Sequence, residues 1–220
     1  EMTSSLVGSE MCIRDRENII KVIDHHVGFE QYWNDKIMDN ANIEFIGAAA
    51  TLVFEEYEKN NMQDKMNIDV AKLLMAAILD NTLNFTATVT SNRDKRAYKK
   101  MQEIVGCKDF DKLYFNECQL QIEENLEDTI KNDTKTEKVS ENLPRVFAQL
   151  TVWNKDFLLV NIYKIKQILG DIDDEWMLNI ICLQDKRSYI IADNKNMQVK
   201  LQYLLESQFD NLIMPLESVM

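Results

Sequence analysis

The 220-residue chain holds only two histidines, and they stand side by side after an acid, in Val22-Ile23-Asp24-His25-His26. The run before them, Asn18-Ile19-Ile20-Lys21-Val22-Ile23, is short and β-branched. It reads as a buried strand with the Asp-His-His at its carboxyl end. In an open α/β sheet, ligands bind at that end of the strands. Side chains alternate along an extended chain, which sets His25 and His26 on opposite sides: one imidazole to ligate a metal, the next to reach elsewhere in the same pocket. Neutral imidazole is a common metal ligand. The pentapeptide taken alone fits equally a strand end that carries two solvated histidines.

Charge and cysteine usage narrow the function classes. The formal net charge is −12, so a nucleic-acid backbone would be repelled on average and is not expected as the main partner. A small phosphate-bearing ligand would need local cations or metals. Cys12, Cys107, Cys118 and Cys182 form no Cys-x-x-Cys pair; neither a zinc finger nor a disulfide framework is supported, and reduced thiols of a cytoplasmic protein are expected. No apolar run approaches the ~18 residues of a spanning helix, so no membrane partner is expected. The chain has no Gly-x-x-x-x-Gly-Lys loop. With Gly 5 and Pro 2, it should hold few flexible linkers and several long helices.

In chain order, residues 1–16 have no helical or strand period and resemble the translation of a sequencing adapter. They are set aside as non-native, and the protein is expected to extend further upstream. Residues 27–42 read as a loop with a short helix, and 43–46 as a strand. Helices follow at 48–59, 68–83 and 92–105, the second strongly apolar. Asp80 sits among Ala76, Ala77, Ile78 and Leu79, where an ionised carboxylate is costly to bury unless paired or bound to metal. Residues 84–90 alternate like a short extended piece. Lys95-Arg96 and Lys99-Lys100 share one helix face, read as solvated. The hydrophobic period changes after 107–115, taken as a linker between domains 17–106 and 116–220. The second half reads as a helix at 116–131, a polar loop at 132–142, strands at 145–153, 176–183, 187–192 and 213–220, and helices at 157–169 and 194–205.

Asp24-His25-His26, Gly47-Ala48-Ala49-Ala50-Thr51-Leu52 and Ile78-Leu79-Asp80-Asn81-Thr82-Leu83-Asn84-Phe85 together resemble the DHH phosphoesterase superfamily. They are similar in particular to the branch of manganese-dependent family II inorganic pyrophosphatases and exopolyphosphatase or prune-type proteins. Thr90-Ser91-Asn92-Arg93-Asp94 matches the threonine-and-acid segment that follows in that family. Asp133-Thr134-Lys135 and Phe147-Ala148-Gln149-Leu150 resemble segments of its second domain. The resemblance implies an α/β fold: a DHH domain with a parallel sheet and flanking helices, its first strands missing here, then a smaller α+β, mixed-sheet domain, incomplete at its end.

The roles implied by the resemblance are specific. His25 and Asp80 would be metal ligands. Asp24 would orient an imidazole, His26 would face the substrate phosphate, and Lys135 would contact phosphate. The cofactor would be Mn²⁺, with Co²⁺ or Mg²⁺ as substitutes, and the substrate pyrophosphate or polyphosphate; a homodimer is compatible with it. The family's opening His and Asp-x-Asp motif and its closing Ser-Arg-Lys motif are not present. The chain is therefore expected to behave as a fragment with weak metal binding and negligible turnover, from a parent that hydrolyses pyrophosphate. The alternatives are a short-chain exopolyphosphatase, a nucleotide phosphodiesterase, or a non-catalytic interaction protein that keeps the fold.

Overall fold

The computed structural model describes residues 19–136 and 143–219. The segment read as non-native and most of the polar loop before residue 143 lie outside the described residues. The described chain is α/β and divides into two compact units, one up to Gly106 and one from Cys107.

In the first unit, β1 (Val22–Asp24) pairs in parallel with β2 (Ala41–Ile43), and α1 (Glu30–Ile37) lies between them in sequence. Neither strand contains a fully buried residue. The packing belongs to three helices: α2 (Ala49–Lys59), α3 (Ile68–Asn81) and α4 (Asn92–Val105). Their apolar residues recur at helical spacing and meet in a core that includes Leu52, Phe54, Met75, Ile78, Leu79 and Met101. Gly106, in the left-handed region at φ 71, ends α4.

Several stretches differ from the sequence reading: the run read as a buried strand before the histidines is only half-buried in β1 with Ile20 exposed, the strand read at 43–46 lies at Ala41–Ile43, the helix read at 116–131 is broken at Asn125, and the last strand, read to 220, ends at Pro215. Residues 84–90 are not extended but form a series of turns. Leu83, Asn84 and Phe85 all have positive φ (47, 52 and 64), a conformation disfavoured for residues with a Cβ. Local bonds hold it: Asn84 N–H donates to Leu79 O, Ala87 N–H to Thr82 O, and Phe85 N–H to Thr82 Oγ1. The Phe85 ring packs edge-on against Tyr98 of α4. The expected linker at 107–115 is helical from Phe110 onward, as the start of α5 (Phe110–Glu124). Phe110, Tyr114 and Phe115 form a ladder of ring contacts there, and Phe115 stacks on Trp153.

The second unit adds α6 (Leu126–Asn132), β3 (Thr134–Lys135), β4 (Val146–Val152), α7 (Asp156–Gly170), β5 (Trp176–Cys182), β6 (Arg187–Ile191), α8 (Lys195–Leu205) and β7 (Ile213–Pro215). The five strands stand in the order β3-β4-β5-β6-β7. Only β4 and β5 are parallel, with α7 as the crossover between them; the other pairs are antiparallel. β4 alternates buried and half-buried residues, whereas every residue of β5 is buried. The first pattern fits a strand with one core face, the second a central strand covered on both. Val146, Ala148, Leu150 and Val152 pack with α6 and α7. Met177, Ile190 and Met214 pack on the other face with Met197 and Leu201 of α8.

Helix starts in the first unit are tied together by one acid. Asp94 is fully buried. Its Oδ2 accepts from Gly47 N–H (3.3 Å), Ser91 N–H (2.8 Å) and Ser91 Oγ (2.7 Å). Its Oδ1 accepts from Ala48 N–H (3.3 Å) and Thr51 Oγ1 (2.6 Å). A Cβ on Gly47 would stand 2.6 Å from Asp94 Oδ2 and 2.8 Å from Thr82 Cγ2. Gly47→Ala should therefore lower stability by about 2 kcal/mol, the range of overpacking in a rigid site, read as a lower urea midpoint at unchanged slope.

In the β5–β6 turn, the Tyr189 hydroxyl donates to Asp185. Partial burial, with the hydrogen bond and negative charge of Asp185, pushes the phenol up from 10.0 to about 12. The folded state favours the protonated phenol, so this stabilisation is full below pH 10 and is lost as pH rises through about 12. A spectrophotometric tyrosinate titration of the folded protein should show one late ionisation near that value, absent in Tyr189→Phe. A titration curve unchanged by the substitution contradicts the assignment.

Candidate metal centre

β1 ends at Asp24, so the two histidines lie beyond the strand and its alternation does not govern them. The Asp24 carboxylate replaces it with a tight local turn. Its Oδ1 accepts from His25 N–H (2.7 Å) and His26 N–H (3.2 Å), curling the backbone around the acid. The consequence corrects the expectation of opposite-facing imidazoles. The two rings sit edge to face with centroids 4.5 Å apart.

Each imidazole is oriented through Nδ1. His26 Nδ1 is 2.8 Å from Asp24 Oδ1, and His25 Nδ1 is 3.2 Å from the Ile46 carbonyl oxygen. A carbonyl or a carboxylate only accepts, so both contacts require the proton on Nδ1. In the neutral ring that leaves the Nε2 lone pair outward, the arrangement of metal-binding histidines whose second nitrogen is held by a carboxylate or carbonyl. Burial raises the Asp24 carboxyl, but hydrogen bonds from the His26 ring and from the His26 and His25 amides, with the charge of His26, together hold it below its ordinary value.

Potential ligand atoms of Asp24, His25 and His26 all lie within 4.8 Å of one another. Two imidazoles and a carboxylate form a donor set suited to a first-row divalent ion such as Mn²⁺ rather than to a thiolate-preferring one. The residues present thus fit one ion in part: three ligands from a single turn, with further positions to be filled by other groups or water.

Asp80 does not join that group. It is exposed on the last turn of α3, so the argument from the cost of burying its charge does not apply: the apolar residues around it in sequence face the core while it faces solvent. The end of its helix nevertheless approaches the site, because Thr82 packs beside Gly47, the residue after Ile46. Lys135 is exposed on the edge strand β3, paired opposite Phe147 of β4. Arg96 and Lys100, on the basic face of α4, bind Glu58 of α2, and Arg93 bridges Glu55 and Glu44. Two cations of the face read as solvated, Arg96 and Lys100, are thus paired to α2 while staying about half exposed.

Sequence reasoning left Asp94 and Ile46 without a role. Ile46 acts through its backbone, which no side-chain pattern reveals. Asp94 had a visible signal in Ser91-Asn92-Arg93-Asp94, a capping box, but its second set of partners lies far away in the chain.

No family model matches the chain. Among curated proteins, it is 32% identical over 92 residues to the manganese-dependent inorganic pyrophosphatase of Methanothrix thermoacetophila, a match covering 41% of this chain and 28% of that protein. It is 31% identical over 101 residues to the manganese-dependent inorganic pyrophosphatase of Bacillus subtilis, covering 44% of this chain and 31% of the relative. The chain thus spans less than a third of the length of these relatives. Among solved structures, one described as a family II inorganic pyrophosphatase from Methanococcus jannaschii superposes over 96% of this chain and 82% of its own, with a TM-score of 0.57 at 17% identity. At that identity the likeness speaks for the fold, and it extends across both units. Over part of its length the chain is thus similar in sequence to manganese-dependent inorganic pyrophosphatases, and its fold is similar to that of a family II inorganic pyrophosphatase.

Proposed function

We propose that this chain is part of a Mn²⁺-dependent phosphoanhydride hydrolase whose substrate is inorganic pyrophosphate, with Asp24-His25-His26 contributing to its metal centre. The observation that carries the reading is the clustering of potential ligand atoms of Asp24, His25 and His26 within 4.8 Å, with the His25 ring held through Nδ1 so that its Nε2 is left to bind an ion. The names of the sequence relatives supply the reaction and the metal. Co²⁺ or Mg²⁺ could replace Mn²⁺ at such a nitrogen–oxygen site.

A divalent ion bound there would supply Lewis acidity and a water of lowered pKa. The chain's own residues do the rest. His25, fixed by Ile46, presents Nε2 to the ion. Asp24 holds the His26 ring and sets the turn. His26, whose side chain is 70% exposed, reaches toward the substrate phosphate. Asp80 is assigned as a further ligand, and Lys135 as a phosphate contact of the second unit.

The observed group offers three ligand residues, and a two-metal site needs more. The chain alone is accordingly assigned weak Mn²⁺ binding and negligible turnover. Two measurements check this. Mn²⁺ titration followed by electron paramagnetic resonance should show binding that His25→Ala weakens at least tenfold, consistent with loss of a ligand or its orientation. Phosphate release from pyrophosphate should be close to background for this chain and restored in a longer form that supplies the remaining ligands. Unchanged Mn²⁺ affinity in His25→Ala would remove the metal reading. Release of phosphate from polyphosphate but not from pyrophosphate would shift the substrate to the longer polyanion.

A further inference from the structure

One peptide group in the first unit is held at both ends. The Ile46–Gly47 peptide offers its carbonyl oxygen to His25 Nδ1 (3.2 Å) and its N–H to Asp94 Oδ2 (3.3 Å). Carbonyl and N–H of one trans peptide point in opposite directions, so the two partners stand on opposite sides of the same plane. Neighbouring bonds fix that plane: Asp94 Oδ1 also accepts from Ala48 N–H and Thr51 Oγ1, and Ser91 fixes the carboxylate from the other side. Ile46 and Ala48 are buried, Asp94 is fully buried, and Gly47 leaves no room for a side chain between them.

We propose that Asp94 is a positioning residue for the metal centre: through the Ile46–Gly47 peptide it holds the carbonyl that fixes the Nδ1–H tautomer of His25 and so directs Nε2 to the ion. The inference rests on the metal-centre reading above for its ion, but the link from Asp94 to His25 is a property of the chain itself. Three physical effects make the link work. Buried polar groups must be satisfied, so moving the peptide away from Asp94 would strand the buried Gly47 N–H. A negative charge on the N–H side polarises the peptide and makes its carbonyl a better acceptor, the cooperative strengthening of hydrogen bonds in series. The acceptor then settles which ring nitrogen carries the proton, and hence which one can bind metal.

A purely structural role predicts something different. Asp94 would then support the starts of α2 and α4, and its loss would lower stability without reference to His25. Two measurements separate the alternatives. Nitrogen-15 correlation spectra of the imidazoles at about pH 8, where a histidine of ordinary pKa is neutral, should show His25 protonated on Nδ1. Asp94→Asn should shift His25 toward the Nε2–H form, and Gly47→Ala, which intrudes on the same contact from the peptide side while keeping the carboxylate, should shift it the same way. In parallel, Asp94→Asn should weaken Mn²⁺ binding about tenfold, but less than about twofold when His25 is already alanine, because the two substitutions then act on one link.

A wild-type His25 protonated on Nε2 overturns the proposal, as does an equal loss of Mn²⁺ affinity in both backgrounds. If Asp94→Asn does not fold, the tautomer of the wild type and of Gly47→Ala decides. If the wild type binds no Mn²⁺ at all, the metal reading fails while the tautomer spectra still confirm or refute the positioning role.

Discussion

A fully buried carboxylate is among the most demanding groups a small α/β unit can hold, and the first unit is built around satisfying one. Asp94 closes the capping box of α4 through Ser91 and accepts the amides of Gly47 and Ala48 at the entry to α2. Amides at a helix start lack intrahelical partners and carry the positive end of the helix dipole. One acid therefore supplies both helices with the anion their starts favour. The same constraint explains the residues around it. Thr51 is fully buried yet polar because its hydroxyl donates to the carboxylate, and position 47 admits only glycine because Asp94 and Thr82 occupy the space a Cβ would need.

The histidine turn depends on this arrangement because its own strands are weak. β1 and β2 have three residues each, none fully buried. A two-stranded sheet of that size is not independently stable. Rigidity reaches the turn instead from the helical side, through the Ile46 carbonyl, and from within, through Asp24 and the two amides that follow it. The Asp24 carboxylate thereby acts twice, shaping the backbone and orienting the His26 ring, so its position as the residue immediately before the histidines is a geometric requirement.

What the sequence revealed follows from how far each signal reaches. The apolar period of 68–81 and the alternation of 146–152 are local, and both elements stand close to where their residues indicate. The adjacency of the histidines was equally visible. Their relative orientation was not, because alternation applies only inside a strand, and β1 stops one residue before them. Asp80 misled through its neighbours: a helix buries one stripe, and an acid flanked by apolar residues in sequence can still face water. The turn at 83–85 carries no glycine to announce its left-handed backbone; only Asn84 is a residue that readily adopts it, and two of the supporting bonds are to backbone oxygens of Leu79 and Thr82. Asp94 pairs across a long stretch of chain, where no periodicity operates.

The charge distribution sharpens what the candidate site must do. Along α4, Arg93, Arg96 and Lys100 are engaged by Glu44, Glu55 and Glu58, so these cations are already neutralised by acids of the same unit. Lys21, just before β1, is bound to Glu56. A polyanion approaching a chain of net charge −12 gains little from side chains so committed, since each new contact would have to displace an existing pair of similar strength. On the proposed function, attraction for a phosphoanhydride at Asp24-His25-His26 would come mainly from the divalent ion those residues would hold, whose charge exceeds that of any single side chain nearby. Metal affinity and substrate affinity would then be coupled at this site. Any contact that fixes the ligand geometry of His25 bears on both.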